Sequence, residues 1–522
     1  MPNKQNIILQ IGSENWSQSY KIPENINWKF ISENELLDYV ENQKKIKKDK
    51  RKSKKSETIS AMVISDDKFQ FNLMLLESLV DVHSVFYPIE IESIIKENSK
   101  MNHFLKNKMA RPFSMNNIDY FINQLSKGLF EGQYGAKLSP VDLQVSQQFD
   151  GEVTFDGSNF LRCKGHFGDH FNSLVTHPYN IQYDNDKFLD IFFEFNASKA
   201  AEIKINLCLI PSGSTDTIAE EWIIEGEQLK QPYTISSDIS GVLSIQVLAK
   251  GEGEIEFGPL HYRWSRNGLG EFLLGGERYS DEEMNEFMYY FDPVDFKPPL
   301  CVYFSGFRSA EGFEGYWMMK SMKTPFLLIC DPRLEGGSFY IGSDSYESKI
   351  ISVINEKLDF LGFSPDQLIL SGLSMGTYGA VYYGASLNPH GIVIGKPVFN
   401  LGQVAQREKT DRPGGFPTSL DIQLKYYHDL SKSSSDLMDL RMWKKVRSGK
   451  FNNSTIIVAY MKDDDYDGSG FSDLLENLDV KNVKIFGKGW PGRHGDGAVE
   501  VPSWFLLQYQ DMLINDFNRK LE

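Results

Sequence analysis

Gly372-Leu373-Ser374-Met375-Gly376 follows the apolar run Leu368-Ile369-Leu370 and precedes a stretch of small residues, Tyr378-Gly379-Ala380-Val381-Tyr382-Tyr383-Gly384-Ala385. Strand, sharp turn, helix is the setting in which a G-x-S-x-G sequence becomes a nucleophile elbow. The constraint is steric. A turn this tight has no room for a Cβ at its flanks, and it lifts the serine oxygen above the sheet edge. The helix start behind the serine adds unpaired N–H groups and a positive dipole, both favourable to an oxyanion.

So short a motif also arises by chance, and the residues after it decide. In the corresponding enzymes the acid follows a later strand and the histidine follows the next one. Thr455–Met461 reads as a β-branched strand, followed by Asp463, Asp464, Asp465 and Asp467. Val483–Phe486 reads as a short strand, followed by Gly487 to Gly495 with His494, the only histidine after His428. In that chemistry Ser374 attacks an acyl carbonyl and His494 carries its proton to the leaving group. A carboxylate fixes the imidazole tautomer. Spacing alone leaves all four aspartates open as the acid. The others read as a solvated loop or a weak cation site.

The oxyanion hole is expected from the amide of Met375 and one amide in the loop after an earlier strand, Pro299–Phe304. The candidates there are Gly306 and Phe307. Arg308, next in line, is a candidate for binding an anionic part of a substrate; the alternative is an ordinary surface arginine.

The charge balance of −16, from 55 basic and 71 acidic residues, argues against general nucleic-acid binding, which needs a basic footprint. One block runs against it: Lys44 to Lys55 holds nine Lys or Arg and one acid, Asp49. It reads as a solvated loop or as a contact with anionic lipid or an acidic partner. No apolar run reaches membrane-spanning length, and Met1–Gln5 leads into a strand rather than a signal peptide. Cys163, Cys208, Cys301 and Cys330 are widely spaced and read as reduced thiols, which points to the cytoplasm.

A chain of 522 residues is too long for one core. Residues 1–135 read as an α/β domain, with strands at Ile7–Gly12 and Ser60–Ser65 and helical spacing at Phe69–Leu79 and Ile118–Leu125. Residues 140–265 carry short strands punctuated by Gly, Asn, Asp and Ser, the pattern of a β-sandwich. That segment is either a carbohydrate-binding module or a scaffold. Cys163, His166, His170 and His177 lack a paired-Cys spacing, and the Gly, Asp and Asn around them suggest a loop, so no metal site is read there. Residues 270–522 alternate strands and helices, as an α/β-hydrolase catalytic domain does. A long insertion at 401–450 contains Arg412-Pro413-Gly414-Gly415-Phe416-Pro417 and is expected to form a lid or acceptor-binding cap.

Several stretches together resemble a known family. They are Asn6–Trp16, Ser305-Gly306-Phe307-Arg308, Glu311–Gly315, Ser371–Gly376 and Ala459-Tyr460-Met461-Lys462. The chain resembles the accessory Sec system proteins of streptococci and staphylococci, as the second of the three accessory secretory (Asp) proteins. The resemblance implies a cytoplasmic factor acting with two sister proteins and the accessory SecA motor on a serine-rich-repeat glycoprotein adhesin. It also implies O-acetylation of N-acetylglucosamine on that cargo, through Ser374, Asp464 and His494. Some members have Glu where this chain has Asp464, which keeps the neighbouring aspartates in competition. No bound cofactor is implied, and the acetyl donor is not legible. Two other readings stand beside it: a non-catalytic docking scaffold of the export complex, and a carbohydrate acetylesterase.

Overall fold

The computed structural model describes residues 5–48, 58–66, 76–92, 95, 99–478 and 482–521. Most of the stretch expected to form a helix from Phe69 to Leu79, and the basic block from Asp49 onward, lie outside these residues. The chain divides into two compact units.

The first unit takes in residues 1–132, 186–188 and 265–276. Its sheet has five parallel strands, and Asn6–Ile11 lies between Ile26–Ile31 and Ile59–Ile64. Consecutive strand residues point to opposite faces. Leu9, Ile11, Met62 and Ile64 enter one apolar cluster, while Ile8, Ala61 and Val63 enter another. Both faces are therefore covered, as a parallel sheet requires. The helix expected at Ile118–Leu125 runs over Ile118–Gly128, with Asn117 accepting from the Tyr120 amide at its start.

The second unit takes in residues 133–185, 189–264 and 277–522, so the strand-rich segment and the segment that carries Ser374 fall in one unit. The strand-rich part is hydrogen-bonded as one ten-stranded sheet rather than as two separate sheets. The cause lies in two long strands, Phe160–Thr176 and Gly241–Ser265, which pair with several partners each. Phe160–Thr176 takes in the stretch around His166 and His170 that reads as a loop. Glycines read as turns lie inside a strand instead, and Gly251 stands at a bulge. Gly251 (φ +89°) and Gly253 (φ +122°) bend the longer strand without ending it, and the register shifts on either side of Gly251. The core holds Leu161, Cys163, Leu207, Val247 and Phe257, all fully buried. Burial pushes the Cys163 thiol up to about 12. Among the described residues no three His, Cys, Asp or Glu side chains converge on a metal-sized site.

Buried charges join this sheet to the segment that carries Ser374. His261 and Arg263 stand two apart on the long strand and meet the same carboxylate, Glu311, in the loop after Leu300–Phe304. His261 Nε2 also lies 3.0 Å from Glu194, and Arg263 also binds Glu286. Burial alone raises the Glu311 carboxyl, but Arg263, His261 and Lys137 outweigh it and hold Glu311 down at about 2.

The remaining strands of this unit form one eight-stranded sheet. They are β1 (Glu277–Ser280), β2 (Glu286–Asp292), β3 (Leu300–Phe304), β4 (Phe326–Cys330), β5 (Leu368–Leu373), β6 (Gly391–Gly395), β7 (Thr455–Met461) and β8 (Lys484–Trp490). The order is β1-β2-β4-β3-β5-β6-β7-β8, antiparallel through β1, β2 and β4 and parallel from there on. The longer helices are α1 (Asp344–Leu361), α2 (Met375–Leu387), α3 (Leu401–Lys409), α4 (Thr418–Tyr427), α5 (Lys432–Ser448) and α6 (Glu500–Phe517). Alternation along β6 separates two of them. A Cβ at Gly391 or Gly395 would meet Met512 or Val501 of α6, whereas Ile392 packs at Gly384 of α2. No helix among the described residues is long and apolar enough to cross a membrane.

Candidate active site

The chain turns from β5 into α2 at Ser374, whose backbone stands at φ +52° and ψ −119°. Residues other than glycine rarely hold this conformation, at a cost of about 1–3 kcal/mol. The flanking glycines permit so tight a turn. A Cβ at Gly372 would lie 2.4 Å from the Gly376 backbone, and one at Gly376 would lie 2.1 Å from the Phe304 carbonyl oxygen. The Ser374 amide donates to the Gly395 carbonyl at 2.8 Å, which ties the turn to β6. Thr377 Oγ1 donates to the Ser374 carbonyl at 2.6 Å.

The Ser374 Oγ lies 2.9 Å from His494 Nε2. His494 Nδ1 lies 2.8 Å from Asp464 Oδ2. The three expected side chains thus share one hydrogen-bonded relay, with both His494 and Asp464 buried. Asp464 has its other oxygen filled by the amides of Tyr466 (2.9 Å) and Asp467 (3.2 Å), so its carboxylate cannot swing away without losing both.

The other three aspartates point elsewhere. Asp463 accepts from the Gly492 amide at 3.0 Å. Asp465 accepts from the His494 amide at 2.9 Å and pairs with Arg412 at 2.8 Å. Partial burial raises the Asp465 carboxyl, but the His494 amide and Arg412 outweigh it and leave the group below the usual carboxylate range. Asp467 is buried and accepts from the amides of Phe399 (2.6 Å) and Asn400 (2.9 Å). Burial pushes its carboxyl up.

The loop after β3 reaches the elbow. A Cβ at Gly306 would stand 3.1 Å from the Leu373 carbonyl oxygen. The Gly306 amide itself is taken: it donates to Glu314 Oε2 at 2.7 Å. Of the two loop amides expected to face an oxyanion, that leaves Phe307. The Met375 amide sits in the first turn of α2, where N–H groups have no partner within the helix. Arg308 folds back on its own loop, donating to the carbonyls of Ala310 (3.3 Å) and Phe313 (3.2 Å).

The insertion at 401–450 forms α3, α4 and α5, and the turn between α3 and α4 lies over the relay. The Phe416 ring packs on Phe307, Phe339 and Tyr466, with centroids 5.5, 5.8 and 5.7 Å away. Tyr466 donates its hydroxyl to the Gly415 carbonyl at 3.2 Å, and its ring meets the His494 imidazole at 4.6 Å. Tyr466, Thr377 and Glu314 are not among the residues expected at the site. Only the position of Tyr466, two residues past the acid, is a signal for any of them.

Sheet order and elbow define a mixed α/β chain in which a serine, a histidine and an aspartate form one relay. Residues 6–519 match the sequence profile of a family described as "Accessory Sec system GspB-transporter". The chain is 39% identical over 471 residues to the accessory Sec system protein Asp-2 of Staphylococcus aureus, covering 89% of this chain and 90% of that protein. It is 37% identical over 515 residues to the Streptococcus gordonii protein of the same name, covering 98% and 99%. A chain of the Glycosylation Associate Protein (Gap123) complex from Streptococcus agalactiae has the same fold, at a TM-score of 0.95. The two are 51% identical, over 99% of this chain and 100% of that one. The chain belongs to this family, the second accessory secretory proteins of the accessory Sec system.

Proposed function

We propose that this protein is a serine-nucleophile O-acetyltransferase of α/β-hydrolase type, acting on N-acetylglucosamine of a serine-rich-repeat glycoprotein bound for export. The observation that carries the reading is the relay of Ser374, His494 and Asp464. Ser374 Oγ attacks the acetyl carbonyl of a donor while His494 Nε2 takes its proton, and Asp464 stabilises the imidazolium. The amides of Met375 and Phe307 receive the oxyanion. As the tetrahedral intermediate collapses, the donor's leaving group departs with the proton from His494, and the acetyl group stays on Ser374. A sugar hydroxyl then gives its proton to His494 and takes the acetyl group, and His494 returns the proton to the departing Ser374 Oγ. Water in place of the sugar makes the same site an esterase.

Family membership supports a role in accessory Sec export. The likeness to a chain of the Gap123 complex supports assembly with two sister proteins. The accessory SecA motor is the further partner in this reading, and the work is cytoplasmic, with the block Lys44–Lys55 as a contact to anionic membrane. Ser374→Ala is expected to cost about 10³-fold or more in esterase activity and to abolish cargo acetylation. A fluorophosphonate is expected to label Ser374 in the wild type alone. Labelling that persists in the variant overturns the assignment. A non-catalytic scaffold predicts unchanged cargo acetylation in the same variant.

A further inference from the structure

The acid and the base sit on loops after β7 and β8, yet one of their supports comes from outside the sheet. Arg412, in the turn between α3 and α4, is about one quarter exposed and pairs with Asp465 Oδ2 at 2.8 Å. The other oxygen of Asp465 accepts the backbone N–H of His494 at 2.9 Å. The Arg412 guanidinium also lies over the Tyr466 ring, 4.0 Å from its centroid. That ring in turn packs against the His494 imidazole. Arg412 thus touches two of the groups that hold His494 in place, Asp465 on its backbone and Tyr466 on its ring.

The turn that presents Arg412 is itself held. Glu408 accepts the amides of Gly414 and Phe416, the latter at 2.7 Å. Phe416 then seats on Phe307 and Tyr466. A planar, permanently charged side chain suits this double task, because it stacks with its face and pairs with its edge.

We propose that Arg412 is a positioning residue that latches the turn over the site and, through Asp465 and Tyr466, aligns His494. Seating of the turn and alignment of the base are one event in this arrangement, so a displaced turn leaves a misaligned base. The inference rests on the reading of Ser374 and His494 as nucleophile and base. It also makes a statement about structure that does not need that reading.

The test uses the full chain with Arg412→Ala, Arg412→Lys and Asp465→Asn, and two measurements. The first is the rate at which a fluorophosphonate labels Ser374. Arg412→Ala and Asp465→Asn are each expected to slow it about 10-fold, since small misplacements of catalytic groups are costly. The double variant is expected to be no slower than either single, because the two act in one chain. Arg412→Lys recovers part of the rate, keeping the charge and losing the stacked plane. The second measurement is hydrogen exchange of the segment 487–498, which carries the His494 amide. Exchange is expected to be about 10-fold faster in Arg412→Ala, as local opening becomes easier. Labelling within about twofold of wild type, or fully additive losses, overturns the proposal. If the wild type is not labelled at all, the nucleophile reading falls, and exchange alone decides the latch: faster exchange supports it and unchanged exchange overturns it.

Discussion

Asp463, Asp464, Asp465 and Asp467 are near neighbours in sequence, and the contacts of each give it a different fate. Asp464 reaches the imidazole, Asp465 the histidine backbone, Asp463 the Gly492 amide and Asp467 the turn at Phe399 and Asn400. Asp464→Asn is expected to lower activity the most, because an amide at that position no longer stabilises the imidazolium. Asp463→Asn, on an exposed contact, is expected to remain within a few-fold of wild type. Comparing kcat/KM across the four Asn variants checks the ranking, and an inactive Asp463→Asn with an active Asp464→Asn overturns it. The serine and histidine are legible in the sequence because each stands alone in its segment. The aspartate is not: adjacent residues on a loop share composition and spacing, and only backbone direction separates them. Gly306 fails as an oxyanion donor for a similar reason. Nothing in the sequence tells that Glu314, eight residues on, takes its amide.

The turn from β5 to α2 leaves no room for a side chain at its flanking glycines. Gly376→Ala places a methyl group 2.1 Å from the carbonyl oxygen of Phe304, a backbone atom that cannot rotate away. The expected cost is about 1–3 kcal/mol of stability, with the Phe304–Ser305 segment pushed outward. Thermal unfolding measures the first and fluorophosphonate labelling the second; a wild-type Tm with wild-type labelling contradicts the packing argument. The parallel strands are legible as short apolar runs, and β7 matches its expected bounds. β1 and β2 are not. β1 is polar at an edge, and the apolar run Phe287–Phe291 of β2 carries no periodicity to name its type. Phe160–Thr176 reads as a loop because Gly165, Gly168, Asp169 and Asn172 mimic punctuation. In the fold Gly168 and Asn172 border register shifts, where pairing tolerates them, and Gly165 pairs in register with Gly253.

Acid is the stress that tests the chain most globally. His177 is buried beside Phe193, and neither ring nitrogen has a hydrogen-bond partner. Burial lowers its pKa from 6.5 to about 4. A histidine shifted downward binds fewer protons folded than unfolded between those values, so stability falls as pH drops from about 6.5 to 4. The full effect is about 3 kcal/mol, at about 1.4 kcal/mol for each pH unit. Asp439 and Asp421 act in the opposite sense. Burial raises them to about 7 and about 6, so the folded state gains protons first as pH falls. A single melting curve mixes these contributions, and a difference separates them. His177→Phe is expected to gain on the wild type as pH falls through that window. A constant gap in unfolding free energy between about pH 7 and pH 4 removes His177 as the cause.

The strand Gly241–Ser265 has a further consequence. Near its end it carries His261 and Arg263 to Glu311, in the same loop that presents Phe307. The segment that carries Ser374 therefore borrows counter-charges for Glu311 from sequence that precedes it. Cut free at residue 277, it keeps the serine, the aspartate and the histidine. Glu311 then loses Arg263, His261 and Lys137, and Glu286 keeps Arg278 but loses Arg263. Such stranded charges cost several kcal/mol. Residues 277–522 are therefore not a self-contained cassette: moved alone, they need the preceding sheet or a new partner for Glu311.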